Sequence, residues 1–255
     1  MKLRALVVGM GLLCSFSSFA ATELRYGLEA EYPPFESRNA SGELEGFDVE
    51  LGNAICKAAA LKCSWVETSF DALIPGLVAK KFDAINSAMN ITEQRRKSID
   101  FTQPIYRIPS QLVGKAGSAV EATPEGLKGK TIGVLQGSIQ ETYAKEHWEK
   151  HGVTVVSYKD QNMAWGDLLN GRIDASLVMS AAGQAGFLSK PQGKGFGFIG
   201  KPVATTPSSA VGSALGCVRG MRPPKSSLMP QLIKYVPMAR SLNWLISTSR
   251  VSMSA

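Results

Sequence analysis

The sequence predicts an α/β protein of two similar lobes, each a mainly parallel sheet flanked by helices. Short apolar strand-like runs alternate with amphipathic helical stretches from Leu24 to Asp174. LVAKKFDAINSA, from Leu77, and LLNGRIDASLVM, from Leu168, repeat one pattern of helix end, basic turn, apolar residue, Asp-Ala and strand. The 255 residues also suffice for two cores.

The elements follow in order. MKLRALVVGMGLLCSFSSFA has a basic start, an apolar run and small residues before its end, the pattern of a secretory signal over residues 1–20, cleaved after Ala20 or Ala21. The apolar run is short for a membrane anchor. Lobe 1 is expected over residues 21–108. LRYGLEA reads as its first strand, Asp48 as the cap of a helix burying Leu51, Ile55, Ala58 and Ala59, FDALIPGLVAKK as a helix despite Pro75, and FDAINSAM as a strand. TQPIYRIPSQLV, extended and marked by proline, suits a crossing between lobes. Lobe 2 is expected over residues 109–200, with strands KTIGVLQ, VTVVSY and RIDASLVM and helices SIQETYAKEHW and AWGDLLNG, the last stopped at Gly171. Residues 201–255 are expected to return to lobe 1 but are atypical in sequence.

The formal charge of +7 is unevenly spread. Residues 21–174 hold 17 basic and 21 acidic residues, and every later charge is basic, nine in all. A basic patch would suggest nucleic acid, but the tail lacks the interleaved aromatics of a stacking platform. Export implies an oxidising compartment. Cys56 and Cys63, in CKAAALKC, are the natural couple because the end of a short helix can turn back to join them, and no nearby His or Cys suggests a metal. Cys217 is left unpaired.

SAMNITEQRR carries the chemistry. Thr92 stands at an N-cap, so free backbone N–H groups and the positive helix end favour an anion. Arg95 adds a fork that matches a carboxylate, while Arg96 reads as a solvated charge. Ser87 and Asn90 precede the helix and can hydrogen-bond a ligand at the strand end. In GLEAEYPPFES, Glu29 ends the first strand, and Glu29, Tyr32 and Phe70 suit recognition of a cation; Tyr32 and Phe70 read equally as core aromatics. Glu29 and Glu31 could instead serve acid/base catalysis. GVLQGSIQE repeats the strand, Gly turn and helix-start logic at Leu135, Gly137 and Ser138. His147 and His151 read as surface residues.

With YPPFES, GELEGFDVELGNAICK, FDALIP, NITEQRR, IDFTQPIY, GKTIGVLQGSIQETYAKEHW and GRIDAS in the family's order, the chain resembles the periplasmic solute-binding proteins of polar amino-acid ABC importers, in the lysine/arginine/ornithine- and histidine-binding group, as far as about Pro202. The resemblance implies a type II periplasmic-binding-protein fold that closes on an amino acid and delivers it to a membrane permease. It implies no cofactor and a monomer. By position, Arg95 binds the α-carboxylate with Ser87, Ala88 and Asn90 of one lobe and Ser138, Ile139 and Gln140 of the other. Tyr32 and Phe70 sandwich the side chain, Glu29 meets the distal cation, Leu135 lines the pocket, and Cys56 and Cys63 match the family disulfide.

The departures are Glu29 where the basic amino-acid binders commonly have Asp, Ala88 and Asn90 where they have serines, and Ile139 where they have threonine. Met179 stands where the family's Asp takes the α-ammonium, a loss that costs several kcal/mol unless another acceptor substitutes. Binders of opines, whose α-nitrogen is substituted, show similar losses. The acid-free tail is expected to be a frameshift product from near Val203 that lacks the glycine-containing strand returning to lobe 1, with a natural lineage-specific tail as the rival reading. A rival function is a periplasmic enzyme of the cyclohexadienyl dehydratase type, with Glu29 or Glu31 as proton donor.

Overall fold

The computed structural model describes residues 23–203 and 213–217. The signal sequence and most of the tail lie outside the described residues.

One five-stranded sheet has the order β4-β1-β5-β12-β6, from β1 (Glu23–Leu28), β4 (Lys62–Glu67), β5 (Ala84–Ile85), β6 (Asp100–Phe101) and β12 (Gly216–Cys217). A second has the order β11-β7-β10-β8-β9, from β7 (Ser110–Lys115), β8 (Thr131–Leu135), β9 (Thr154–Tyr158), β10 (Ala175–Met179) and β11 (Phe196–Val203). In each, one strand, β1 or β8, runs parallel to both neighbours, and the neighbour β5 or β10 pairs on its other side with an antiparallel strand, β12 or β7. Strands β2 (Ser37–Arg38) and β3 (Leu44–Glu45) form a separate hairpin.

The repeated Asp-Ala pattern explains this likeness. Asp83 donates its N–H to Arg25 O at 2.8 Å, and its Oδ2 accepts from Arg25 N at 2.9 Å. Asp174 does the same in lobe 2, donating to Thr131 O at 2.8 Å and accepting from Thr131 N at 2.8 Å. Each aspartate thus fastens the start of β5 or β10 to its parallel neighbour β1 or β8, fixing the register on which the cleft edge depends.

Local chemistry sets the helices. In α2 (Leu73–Val78) Pro75 lies in the first turn, where a missing N–H breaks no helical bond. Helix α4 (Ile139–His147) is capped by Ser138, which accepts from Glu141 N, and α5 (Gln161–Leu169) by Asp160, which accepts from Met163 N. Helix α6 (Ser180–Gly183) continues directly into a π-helical turn over Gln184–Leu188.

Five expectations need correction. The N-cap of α1 (Phe47–Ala58) is Gly46, at φ +122, where a Cβ would lie 2.3 Å from Phe35 O. Asp48 is the second helical residue and is buried, because its carboxylate has partners in the core. The face α1 buries includes Val49, Leu51, Gly52, Ile55 and Cys56, whereas Ala58 and Ala59 are exposed. Of FDAINSAM only Ala84 and Ile85 pair as a strand, since the chain then bends toward the cleft. Helix α5 begins three residues before AWGDLLNG, where Asp160 supplies the cap. Finally, the chain does return to lobe 1: Gly216 and Cys217 form β12 between β5 and β6, and Ser213 bridges Asn90 and Tyr106. A glycine at the strand and small flanking residues suffice for that central position, and buried Cys217 is free.

Cys56 and Cys63 form a disulfide with Cα atoms 6.0 Å apart, tying the end of α1 to β4. Among the described residues no helix is long and apolar enough to cross a membrane.

Candidate functional site

The carboxyl ends of β1 and β5 in one sheet and of β8, β9 and β10 in the other face a common cleft. Four polar contacts cross it: Met179 N donates to Tyr32 Oη at 3.3 Å, Arg95 Nη2 to Gly137 O at 2.9 Å, Gln136 Nε2 to Asp71 Oδ2 at 3.0 Å, and Asn162 Nδ2 to Glu31 Oε2. Tyr32, Phe70 and Ala88 of lobe 1 share one buried apolar cluster with Leu135, Met179, Trp165 and Phe187 of lobe 2. The lobes are therefore in contact through the site itself.

Thr92 caps α3 (Glu93–Arg96) by accepting from Arg95 N at 3.1 Å. The helix has one turn, so it holds Arg95 in place rather than supplying a dipole of any length. The Arg95 guanidinium lies 5.5 Å from the Phe70 ring centroid and donates through Nη1 to Asn90 O at 2.6 Å. With its bond to Gly137 O, two of five N–H donors are used on backbone carbonyls, one in each lobe. Burial lowers its pKa to about 10, which leaves it charged at neutral pH. Gly137 sits at φ +77, where a Cβ would come 2.9 Å from Asp71 Cα across the cleft.

Glu29 ends β1 and is buried. Its Oε1 accepts from Glu31 N at 3.1 Å, whereas buried Oε2 has no hydrogen-bond partner. Burial raises its pKa to about 8, against the Glu31 N–H bond and with help from the negative charges of Glu31 and Asp160. The N–H of Glu29 donates to Ser87 Oγ at 3.0 Å, and Ser87 Oγ donates to Glu36 Oε1 at 2.9 Å.

Below lies a buried acidic network that sequence reasoning missed. Asp48 Oδ2 accepts from Ala88 N at 2.6 Å, and both Asp48 oxygens lie 3.2 Å from Tyr106 Oη. Asn86 Nδ2 donates to Asp48 O at 2.5 Å. Burial pushes Asp48 up to about 7 and Glu36 well above the carboxylate range, the latter also because Asp48 is its neighbour. The network holds Ala88 at φ +43, a costly conformation for a residue with a side chain, and Ser213 Oγ donates to Ala88 O at 3.2 Å from the other side. Neither Glu36 nor Asp48 signals this role locally, because their partners lie 38 to 58 residues away.

Lobe 2 offers mainly neutral groups. Ser138 caps α4, Ile139 is buried, and Gln140 Nε2 donates to Ser110 Oγ at 2.9 Å. Leu135 and Met179 are apolar walls. His147 and His151 are exposed, as expected, and among the described residues no cluster of His, Cys, Asp and Glu could hold a metal ion.

The model of the bacterial extracellular solute-binding proteins, family 3, matches residues 24–232. The chain belongs to that family. The match runs past Pro202, which corrects the expected end of the likeness and agrees with the placement of β12. The chain is 44% identical over 214 residues to the lysine/arginine/ornithine-binding periplasmic protein of Escherichia coli K12, covering 83% of this chain and 82% of the relative. To the L-arginine-binding protein of Pseudomonas aeruginosa it is 44% identical over 202 residues, 78% of each chain. An ancestral arginine-binding protein bound to arginine superimposes with a TM-score of 0.72 at 28% identity, covering 89% of this chain and 97% of that one. A Salmonella typhimurium periplasmic binding protein described for its high arginine specificity gives 0.74 at 26% identity, covering 88% and 99%. These relatives are binding proteins, and several are named periplasmic.

Proposed function

We propose that this member of the family captures a cationic amino acid of the arginine, lysine, ornithine and histidine class in the periplasm and hands it to a membrane ABC permease, without chemistry. One observation carries the reading: the cleft pairs a fixed guanidinium, Arg95 stacked on Phe70, with a buried carboxylate, Glu29, whose Oε2 lacks a donor. A solute with a carboxylate at one end and a cation at the other satisfies both. Arg95 takes the carboxylate with Ser87, Ala88, Asn90 and Ser138 to Gln140 around it, Tyr32 and Phe70 flank the side chain, and Glu29 takes the cation. Contacts from both lobes favour the closed form.

A second reading, an opine or modified arginine, is favoured by buried Met179, which places an apolar wall where the family's acid meets the α-ammonium. The dehydratase alternative draws on the raised pKa of Glu29, a requirement for a proton donor at neutral pH. Capture uses the same group, since a bound cation lowers the pKa of Glu29 again and restores its charge.

Titration calorimetry of the purified protein against arginine, lysine, ornithine, histidine and octopine, followed by a product assay on prephenate, decides among these. Saturable heat with a basic amino acid and no product supports capture. Preference for octopine supports the second reading, and turnover overturns both.

A further inference from the structure

The distal-cation end of the cleft is lined from both lobes. Glu29 and Glu31 come from the loop after β1, linked by the bond from Glu31 N to Glu29 Oε1 at 3.1 Å. Across the cleft Glu31 Oε2 accepts from Asn162 Nδ2, in the first turn of α5. Two residues before Asn162 stands Asp160, half-buried, with Oδ1 accepting from Met163 N at 2.9 Å. Its charge reaches Glu29, where it opposes ionisation. Among the described residues none of Glu29, Glu31 and Asp160 makes an ion pair, and Glu29 Oε2 is buried without a partner. A buried carboxylate with acids from both lobes around it is unfavourable as an anion unless a cation lies beside it.

Resting on the reading of the site as a cationic amino-acid cleft, we propose that Asp160 is a second-lobe specificity residue that joins Glu29 in holding the ligand's distal group and selects a guanidinium over an ammonium. A guanidinium is planar and spreads five donors over two edges, so it can serve carboxylates arriving from opposite lobes. An ammonium is a compact, strongly hydrated charge that satisfies Glu29 while leaving Asp160 with less. Asp160 also lies on the moving lobe, so its attraction for the cation acts only on closure and makes closure selective for charge. Asn162, by holding Glu31, keeps the Glu31 carboxylate at the rim.

Asp160→Asn is a clean variant, because Asn caps helices as well as Asp and α5 keeps its start. Arginine and lysine are titrated calorimetrically into the purified wild-type protein and into Asp160→Asn, with melting curves as a check on folding and Asp160→Glu as the charge-preserving control. The expected result is a dissociation constant for arginine raised about tenfold in Asp160→Asn, a smaller change for lysine, and recovery of part of the arginine preference in Asp160→Glu. Unchanged arginine affinity, or equal weakening for both ligands, overturns the inference while leaving the cleft's function standing. If the wild-type protein binds neither amino acid, the underlying reading fails and the inference with it.

Discussion

The two lobes share a sheet order and an aspartate latch, yet their cleft edges differ. Lobe 1 brings buried ionisable groups, with Glu29, Glu36, Asp48 and the anchored Arg95, whereas lobe 2 presents Leu135, Ile139, Met179, Ser110 and Gln140. Asp160 is the acid of lobe 2 that acts on Glu29. A common scaffold therefore carries a half rich in ionisable groups and a largely neutral half; under the proposed function the first distinguishes ligands by charge and the second closes over them.

That division fixes an order of effects. Arg95→Ala should weaken binding most, roughly a hundredfold or more, because it removes a fixed charge facing a desolvated carboxylate and unties Asn90 from Gly137; titration calorimetry reads the loss, and retained affinity breaks the assignment of charge recognition to lobe 1. In lobe 2, Met179→Asp sharpens the contrast. It should strengthen arginine binding where the ligand's α-ammonium is free, and weaken octopine binding, where the amine is substituted and crowded. Gly137→Ala should cost about tenfold, since its Cβ meets Asp71 and the residue holds φ +77; an unchanged dissociation constant would show that this closed contact is dispensable.

Acidity gives the next effect. Glu29 at about 8 binds a cation only by releasing its proton, so affinity for arginine should rise as pH goes from 6 to 8, by at most about tenfold per unit. Calorimetry in buffers of different ionisation enthalpy measures the proton released. The ligand-free protein should do the reverse. Glu29, Glu36 and Asp48 have folded pKa values above their ordinary ones, so the native state holds more protons than the unfolded one, and the melting temperature should fall as pH rises from about 5 to 8. The smallest effect is expected at the shared latch: Asp83→Asn and Asp174→Asn should each lower the melting temperature by a few degrees while ligand affinity stays near wild type.

The scaffold was legible because its signals are local. The paired Asp-Ala runs place β5 and β10 at matching points of the two lobes, and Thr92 and Ser138 sit at caps whose partners are three residues on. The place of Arg95 on the Thr92-capped turn was legible for the same reason. Asp48 was misread because a carboxylate at a helix start looks like a cap, and only the fold brings Ala88 N and Tyr106 beside it. Asp160, Asn162 and Gln136 act across the cleft, where sequence spacing carries no information. The return strand was hidden by an atypical tail, and the expected frameshift concerns residues largely outside those described.

The central claim is that lobe 1 recognises a solute by a positive charge at its far end. Arginine and citrulline have nearly the same shape and differ in that charge, so their calorimetric titration into the wild-type protein tests it most directly. The account predicts tight arginine binding and citrulline weaker by roughly a hundredfold; equal affinities for the two would contradict it.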